Sequence, residues 1–202
     1  MSTVESVRGF DPLSVFEGSV LEDAQAIIRR YPSGRERSAI MPLLYLAQSV
    51  EGRVTQDAMK EVAGLIGITS AEVAAVTTFY TMLRLRPTGR HVVSVCTNLA
   101  CALRGAKDVY EAAHAAAGVP HGGETSDDGL ISLHEEECMA ACEHAPVVAI
   151  DFTYHDDVTP QRIEELIGAL RAGSPAAPSR GPAMSDFRQA SRALAGLGEE
   201  RA

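Results

Sequence analysis

Through the first part of the chain, to about Arg86, apolar residues recur at helical spacing. Residues 20–31 set Leu21, Ala24, Ile27 and Ile28 on one stripe, which Pro32-Ser33-Gly34 ends. Ser38 is placed to cap a second segment carrying Leu43, Leu44, Ala47 and Val50. Pro42 falls in its first turn, where a missing N–H costs little, and Gly52 stops it. Thr55 opens a third segment through Leu65 and Ile66, with Gly67 as its cap. The run Thr69-Ser70-Ala71-Glu72 reads as a capping box for a fourth, carrying Val73, Val76, Phe79, Tyr80 and Leu83. These stripes predict a helical core, and Phe79, Tyr80 and Met82, at its exit, are candidates for an interface.

Near Pro87-Thr88-Gly89 the periodicity changes. Residues 91–95 form a Val-rich run suited to a buried strand, followed by a cysteine-bearing loop and a helix over 105–117 that Gly118 closes. Gly122-Gly123 and Asp128-Gly129 mark turns before a short strand with Leu130, Ile131 and Leu133. Residues 147–152 predict another strand, with Pro146 at its entrance, and Thr159-Pro160 starts a helix through Leu170. This order predicts an α+β domain with a mixed sheet covered by helices. After Ala172, Pro175, Pro178, Gly181 and Pro182 interrupt regular structure, which predicts a mobile tail with a weak helix over 187–197. The expected organisation is an extension over 1–19, a helical domain over 20–86, an α+β domain over 87–171 and a flexible tail over 172–202. There is no internal repeat.

At 202 residues and 46% hydrophobic content the chain can build a core without disulfides. A net charge of −9 disfavours nucleic acid and favours a protein partner. No apolar run approaches the roughly 20 residues of a membrane-spanning helix, so membrane association is expected only through other chains. Residues 1–21 hold three acidic residues, one Arg and no apolar h-region, the pattern of neither a secretory signal nor a transit peptide. The cytosol of a bacterium is the expected compartment. There, cysteines serve as metal ligands or redox groups more often than as disulfides.

All four cysteines fall in two pairs, Cys96-x4-Cys101 and Cys138-x3-Cys142, with 36 residues between them. Each pair sits in a loop after a predicted strand. A short loop at a strand end can aim two sulfurs at one point while its own N–H groups face them, as an iron–sulfur cluster requires. The residues alone leave other readings open: structural zinc on four thiolates, two disulfides or a thiol switch, or inert buried cysteines. Residues 121–157 carry ten acidic residues and no Lys or Arg, which predicts a low reduction potential for a cluster held there. His91, His114, His121, His134, His144 and His155 show no ligand spacing, and a solvated or capping role is expected for each. His144, two residues past Cys142, is the one candidate to support the site. No Gly-rich dinucleotide loop, Walker-type loop or Ser/His/Asp set is present, so no substrate site of its own is expected.

The stretch Val95-Cys96-Thr97-Asn98-Leu99-Ala100-Cys101-Ala102-Leu103-Arg104-Gly105-Ala106, with Glu137-Cys138-Met139-Ala140-Ala141-Cys142-Glu143-His144-Ala145-Pro146, resembles the family of the small thioredoxin-like subunit, lettered E, of the proton-pumping NADH-quinone oxidoreductase, respiratory complex I. It is also similar to the equivalent small subunits of NAD-linked hydrogenases and formate dehydrogenases. The resemblance extends to Thr77-Thr78-Phe79-Tyr80-Thr81-Met82 and Asp128-Gly129, and covers residues 20–171. It implies an N-terminal helical bundle followed by a thioredoxin-like domain, and one [2Fe–2S] cluster ligated by Cys96, Cys101, Cys138 and Cys142. It further implies a flavoprotein partner that holds FMN, binds NADH and carries a [4Fe–4S] cluster, with other hydrophilic-arm subunits beside it. The cluster would exchange single electrons with that flavin as a side store, and the chain would lie peripherally on the cytoplasmic side of the inner membrane through the complex. In one departure the family pattern Glu-Cys-Leu-Gly-Ala-Cys becomes Glu137-Cys138-Met139-Ala140-Ala141-Cys142, so an Ala stands where Gly would allow positive φ. Competing expectations are a zinc-stabilised interaction module and a stand-alone ferredoxin.

Overall fold

The structure, a computed structural model, describes residues 14–120 and 124–198. His121 and the expected turn at Gly122-Gly123 lie outside them, as does the extension before Ser14. The chain divides into two compact units, one running to Pro87 and taking in the segment from Ser191 onward, the other Thr88–Ala190. Among the described residues no helix is long and apolar enough to cross a membrane.

The first unit is a helical bundle of α1 (Gly18–Ile28), α2 (Ile40–Glu51), α3 (Gln56–Ile66) and α4 (Ser70–Phe79) around Ile27, Leu43, Leu44, Leu46, Val62 and Val73. Four boundaries follow local chemistry. Gly52 and Gly67 end α2 and α3 in left-handed conformation, the Thr55 hydroxyl accepts from the Ala58 N–H, and Thr69 and Glu72 complete the capping box of α4. Two expectations are corrected. Ser38 caps nothing, because the 3₁₀ turn Glu36–Ala39 runs straight into α2. Leu83 is not on α4, which stops at Phe79 with Tyr80 extended. The Thr77 and Thr78 hydroxyls donate to the Val73 and Ala74 carbonyls in the last turn. Beyond it, buried Gln48 accepts from the Arg84 N–H at 2.7 Å and donates to the Met82 carbonyl at 3.1 Å, and Leu83 turns into the core.

The second unit is α+β. Its four-stranded sheet has the order β2-β1-β3-β4, from β1 (His91–Cys96), β2 (Ile131–Glu136), β3 (Val148–Ile150) and β4 (Thr153–His155). β1 runs parallel to β2 and antiparallel to β3, which makes the sheet mixed. As an inner strand it buries all six residues, the reason it is rich in Val, with His91 and Ser94 buried among Val92, Val93 and Val95. A short helix, α5 (Leu99–Leu103), follows it. Val93, Val95, Leu133, Val148 and Ile150 share a core with Val109 and Ala113 of α6 (Ala106–Ala117) and Ile163, Leu166 and Leu170 of α7 (Pro160–Arg171). Where one strand was expected over 147–152, the structure has the hairpin β3–β4, turned at Asp151 and Phe152 with φ of 49° and 65°. No Gly or Asn marks that turn. Gly89 packs so closely on the next strand that a Cβ there would lie 2.9 Å from the backbone of Leu130 and Ile131.

Among the described residues after Ala172, Phe187, Ala190, Ser191 and Ala195 are buried, against the expectation of a mobile tail. Ser179 and Arg180 bridge to Tyr154 on the outer strand β4, and Phe187, at the start of α8 (Phe187–Arg192), is fully buried beside Phe152. In the first unit Ser191 accepts from Gln48, Arg192 pairs with Asp23, and Arg30 donates to the Ala195 and Gly196 carbonyls. Bulky apolar residues such as Phe187 among the prolines account for this, since they favour burial over solvation.

Candidate metal centre

Parallel pairing of β1 and β2 brings the two cysteine loops to one end of the sheet. Cys96 stands opposite Glu136 in register, so the loop after β1 and the loop carrying Cys138 leave side by side. The Thr97 N–H donates to the Glu136 carbonyl at 3.0 Å and the Cys96 N–H to the Val147 carbonyl at 3.0 Å, which pins the first loop between its neighbours. Helix α5 forms part of that loop and places Cys101 facing inward. Gly105, at φ 90°, then turns the chain into α6. Side chains join the two loops: Asn98 Nδ2 donates to Glu137 Oε2 at 3.2 Å, and Arg104 Nε to the Ala145 carbonyl at 3.1 Å.

All four cysteines are free thiols, with Cys96 and Cys101 buried and Cys138 and Cys142 exposed. Cys101 lies within hydrogen-bonding reach of Cys96, Cys142 within reach of Cys138, and Cys142 interacts electrostatically with both inner cysteines. Burial pushes the Cys101 thiol up to about 11, with Cys96 beside it adding to the shift and the Val147 N–H opposing it. The hydrogen bond with Cys138 and its charge raise Cys142. Such thiols ionise readily only opposite a positive centre, which ferric ions supply. Backbone donors are also in place, the Ala140 N–H lying 3.4 Å from Cys138 Sγ. Among the described residues no three His, Cys, Asp or Glu side chains gather tightly enough for a single metal ion. Four thiols converging from two loops, with a backbone N–H on one of the sulfurs, have the donor chemistry that a [2Fe–2S] group requires.

The surroundings differ from expectation in three ways. The acidic run meets partners from elsewhere in the fold: Asp128 pairs with Arg171, Asp156 pairs with Arg180, and Asp151 lies in hydrogen-bond contact with His91. Glu135, Glu136, Glu137 and Glu143 flank the outer cysteines in sequence. His144 faces Asp157 at 3.6 Å. His91 and His155 are buried, not solvated. Spacing had no way to reveal Tyr154, whose hydroxyl donates to the Met139 carbonyl at 3.1 Å, nor Leu99 and Leu103, which expose 71% and 79% of their surface on α5 beside the cysteines. Both leucines have i,i+4 spacing, a signal available from sequence once α5 is known to be helical.

Residues 24–171 match the family model described as thioredoxin-like [2Fe–2S] ferredoxin. The chain is 45% identical over 179 residues to the subunit lettered E of the NADH-quinone oxidoreductase of Mycobacterium tuberculosis, covering 89% of this chain and 70% of that protein. It is 39% identical over 145 residues to NADH-quinone oxidoreductase subunit 2 of Thermus thermophilus, covering 71% and 80%. Among solved structures, an NAD+-reducing [NiFe]-hydrogenase in the air-oxidised state superposes with a TM-score of 0.58 at 20% identity. That likeness covers 67% of this chain and 23% of the hydrogenase chain, and it speaks to the fold. On the family match and the identity to its relatives, this chain belongs to the thioredoxin-like [2Fe–2S] ferredoxin family, and its cofactor is a [2Fe–2S] cluster.

Proposed function

We propose that the chain is the [2Fe–2S] electron-transfer subunit of an NADH-quinone oxidoreductase, with Cys96, Cys101, Cys138 and Cys142 as the cluster ligands. The observation that carries this reading is the meeting of four free thiols at the end of the parallel pair β1–β2. When bound, the cluster supplies a one-electron carrier. The protein's own residues do the rest. Cys96 and Cys101 form the inner wall of the site, and Asn98 and Arg104 keep the two loops in register. Cys138 and Cys142 present the outer edge, through which exchange with another protein is shortest. Leu99 and Leu103 offer that protein an apolar contact.

The partner in this reading is a flavoprotein subunit that binds NADH and FMN, with the whole assembly peripheral to the cytoplasmic face of the membrane. Phe79, 76% exposed, with Tyr80, Met82 and Leu85, gives the helical unit a second apolar surface for neighbouring subunits. The equivalent place in an NAD-linked hydrogenase or formate dehydrogenase is the second reading. It draws on the hydrogenase fold likeness, against relatives of far higher identity that carry the quinone-linked name.

The test is the visible spectrum of anaerobically purified protein before and after dithionite. Brown colour that partly bleaches on reduction, and is lost in each of the Cys96→Ala, Cys101→Ala, Cys138→Ala and Cys142→Ala variants, is the expected result. Colourless protein with stoichiometric zinc after growth in ample iron would replace the electron-transfer reading with a zinc-stabilised interaction module. Co-purification with a flavoprotein that oxidises NADH and passes electrons to quinone, not to hydrogenase or formate chemistry, separates the two complexes.

A further inference from the structure

Met139 and Ala140 share one planar peptide between Cys138 and Cys142, and both ends of it are engaged. Its N–H lies 3.4 Å from Cys138 Sγ, and its carbonyl accepts from the Tyr154 hydroxyl at 3.1 Å. Because the peptide is rigid, holding the carbonyl also aims the N–H. That orientation is uphill for the loop itself: Ala140 sits at φ 54°, in a region its Cβ disfavours. Turning the peptide over would return Ala140 to negative φ and withdraw the N–H from the sulfur. Tyr154 opposes that turn.

Tyr154 is itself held by the segment after α7. The Ser179 N–H donates to the Tyr154 carbonyl at 2.7 Å, and the Arg180 guanidinium stacks over the Tyr154 ring with its carbon 4.9 Å from the centroid. Asp156 fixes the guanidinium at 2.6 Å, and the Ser179 hydroxyl accepts from the Asp156 N–H at 3.0 Å. The ring packs against the apolar cluster of Cys96, Cys101, Ala141 and Val147. Ser179 and Arg180 lie beyond the residues matched by the family model, 24–171.

We propose that Arg180 and Tyr154 form a brace by which the segment after α7 holds the Met139–Ala140 peptide and so tunes the cluster. Both are positioning residues, acting through the N–H donated to Cys138. The proposal rests on Cys138 being a cluster ligand. An N–H donated to a ligand sulfur stabilises the more negative reduced state and raises the potential, so loss of the brace lowers it.

The experiment is a reductive titration, followed by electron paramagnetic resonance, of the full chain reconstituted with iron and sulfide. Tyr154→Phe is expected to shift the potential negative by several times the titration error, and Arg180→Gln to shift it the same way by less. The double variant should match Tyr154→Phe alone, since Arg180 acts through the ring. In an Ala140→Gly background, where positive φ costs little, Tyr154→Phe should have a smaller effect. A Tyr154→Phe potential equal to wild type overturns the brace. So does a double variant whose shift is the full sum of the two, which would make Arg180 an independent charge. If Tyr154→Phe loses its cluster on reconstitution, Arg180→Gln alone decides, and a wild-type potential there overturns the proposal. Wild-type protein with no [2Fe–2S] signal overturns the ligand assignment itself, a failure distinct from an unmoved potential in a protein that carries the cluster.

Discussion

At the scale of single residues, charge around the outer cysteines is the feature most open to test. Glu135, Glu136 and Glu137 lead into Cys138, and Glu143 follows Cys142. A reduced cluster carries one more negative charge than an oxidised one, so neighbouring carboxylates favour oxidation. Replacing Glu135, Glu136 and Glu137 together with Gln is expected to raise the potential measured by redox titration, and the shift should shrink in high salt. An unchanged potential would mean that solvent screens all three. Sequence supplied the acidic run but not its compensation. The ion pairs of Asp128 with Arg171 and of Asp156 with Arg180 join residues 43 and 24 positions apart, beyond any local pattern. Gln48 teaches the same lesson. Its position on an apolar helix says nothing of the Met82, Arg84 and Ser191 groups that it satisfies.

Among the elements, α4 carries a pH dependence that can be assigned to one group. The Thr69 N–H, the Thr69 hydroxyl and Arg37 hold the Glu72 carboxyl down at about 2. With a folded value below the ordinary 4.5, its contribution to stability is present above pH 4.5 and is lost as pH falls toward about 2. Urea unfolding of cluster-free protein at about pH 5 and about pH 3 is expected to show a smaller loss of stability in Glu72→Gln than in wild type. An identical loss in both would remove Glu72 as a contributor. Helix ends were readable because caps are local chemistry, as at Thr55, Thr69 and Thr159. The β3–β4 hairpin was not. Its turn places Asp151 and Phe152 at positive φ, and a Phe there is chosen by its packing on Phe187, not by turn propensity.

Over the whole molecule, the segment after α7 changes the picture most. Phe187 is fully enclosed, and replacing it with Ala should cost about 3–5 kcal/mol in urea unfolding, the range for a large aromatic removed from a core. A chain ended at Ala172 should lose at least as much. A cost below about 1 kcal/mol for Phe187→Ala would restore the reading of these residues as an unpacked tail. The prolines and glycines there interrupt helices and strands, but they do not prevent an extended segment from covering the exposed edge of β4.

By itself the sequence determined the helical first unit, the mixed α+β second unit and four cysteines in two closely spaced pairs, because periodicity, capping and short spacings are local and survive without a fold. Only the tertiary structure decided that the pairs meet, since that follows from the parallel pairing of β1 with β2, strands separated by the whole of α6. It also decided which carboxylates find cations, and that Tyr154 and Arg180 reach the cysteine loop. Those contacts join residues far apart in the chain, and the sequence pattern carries no signal for them.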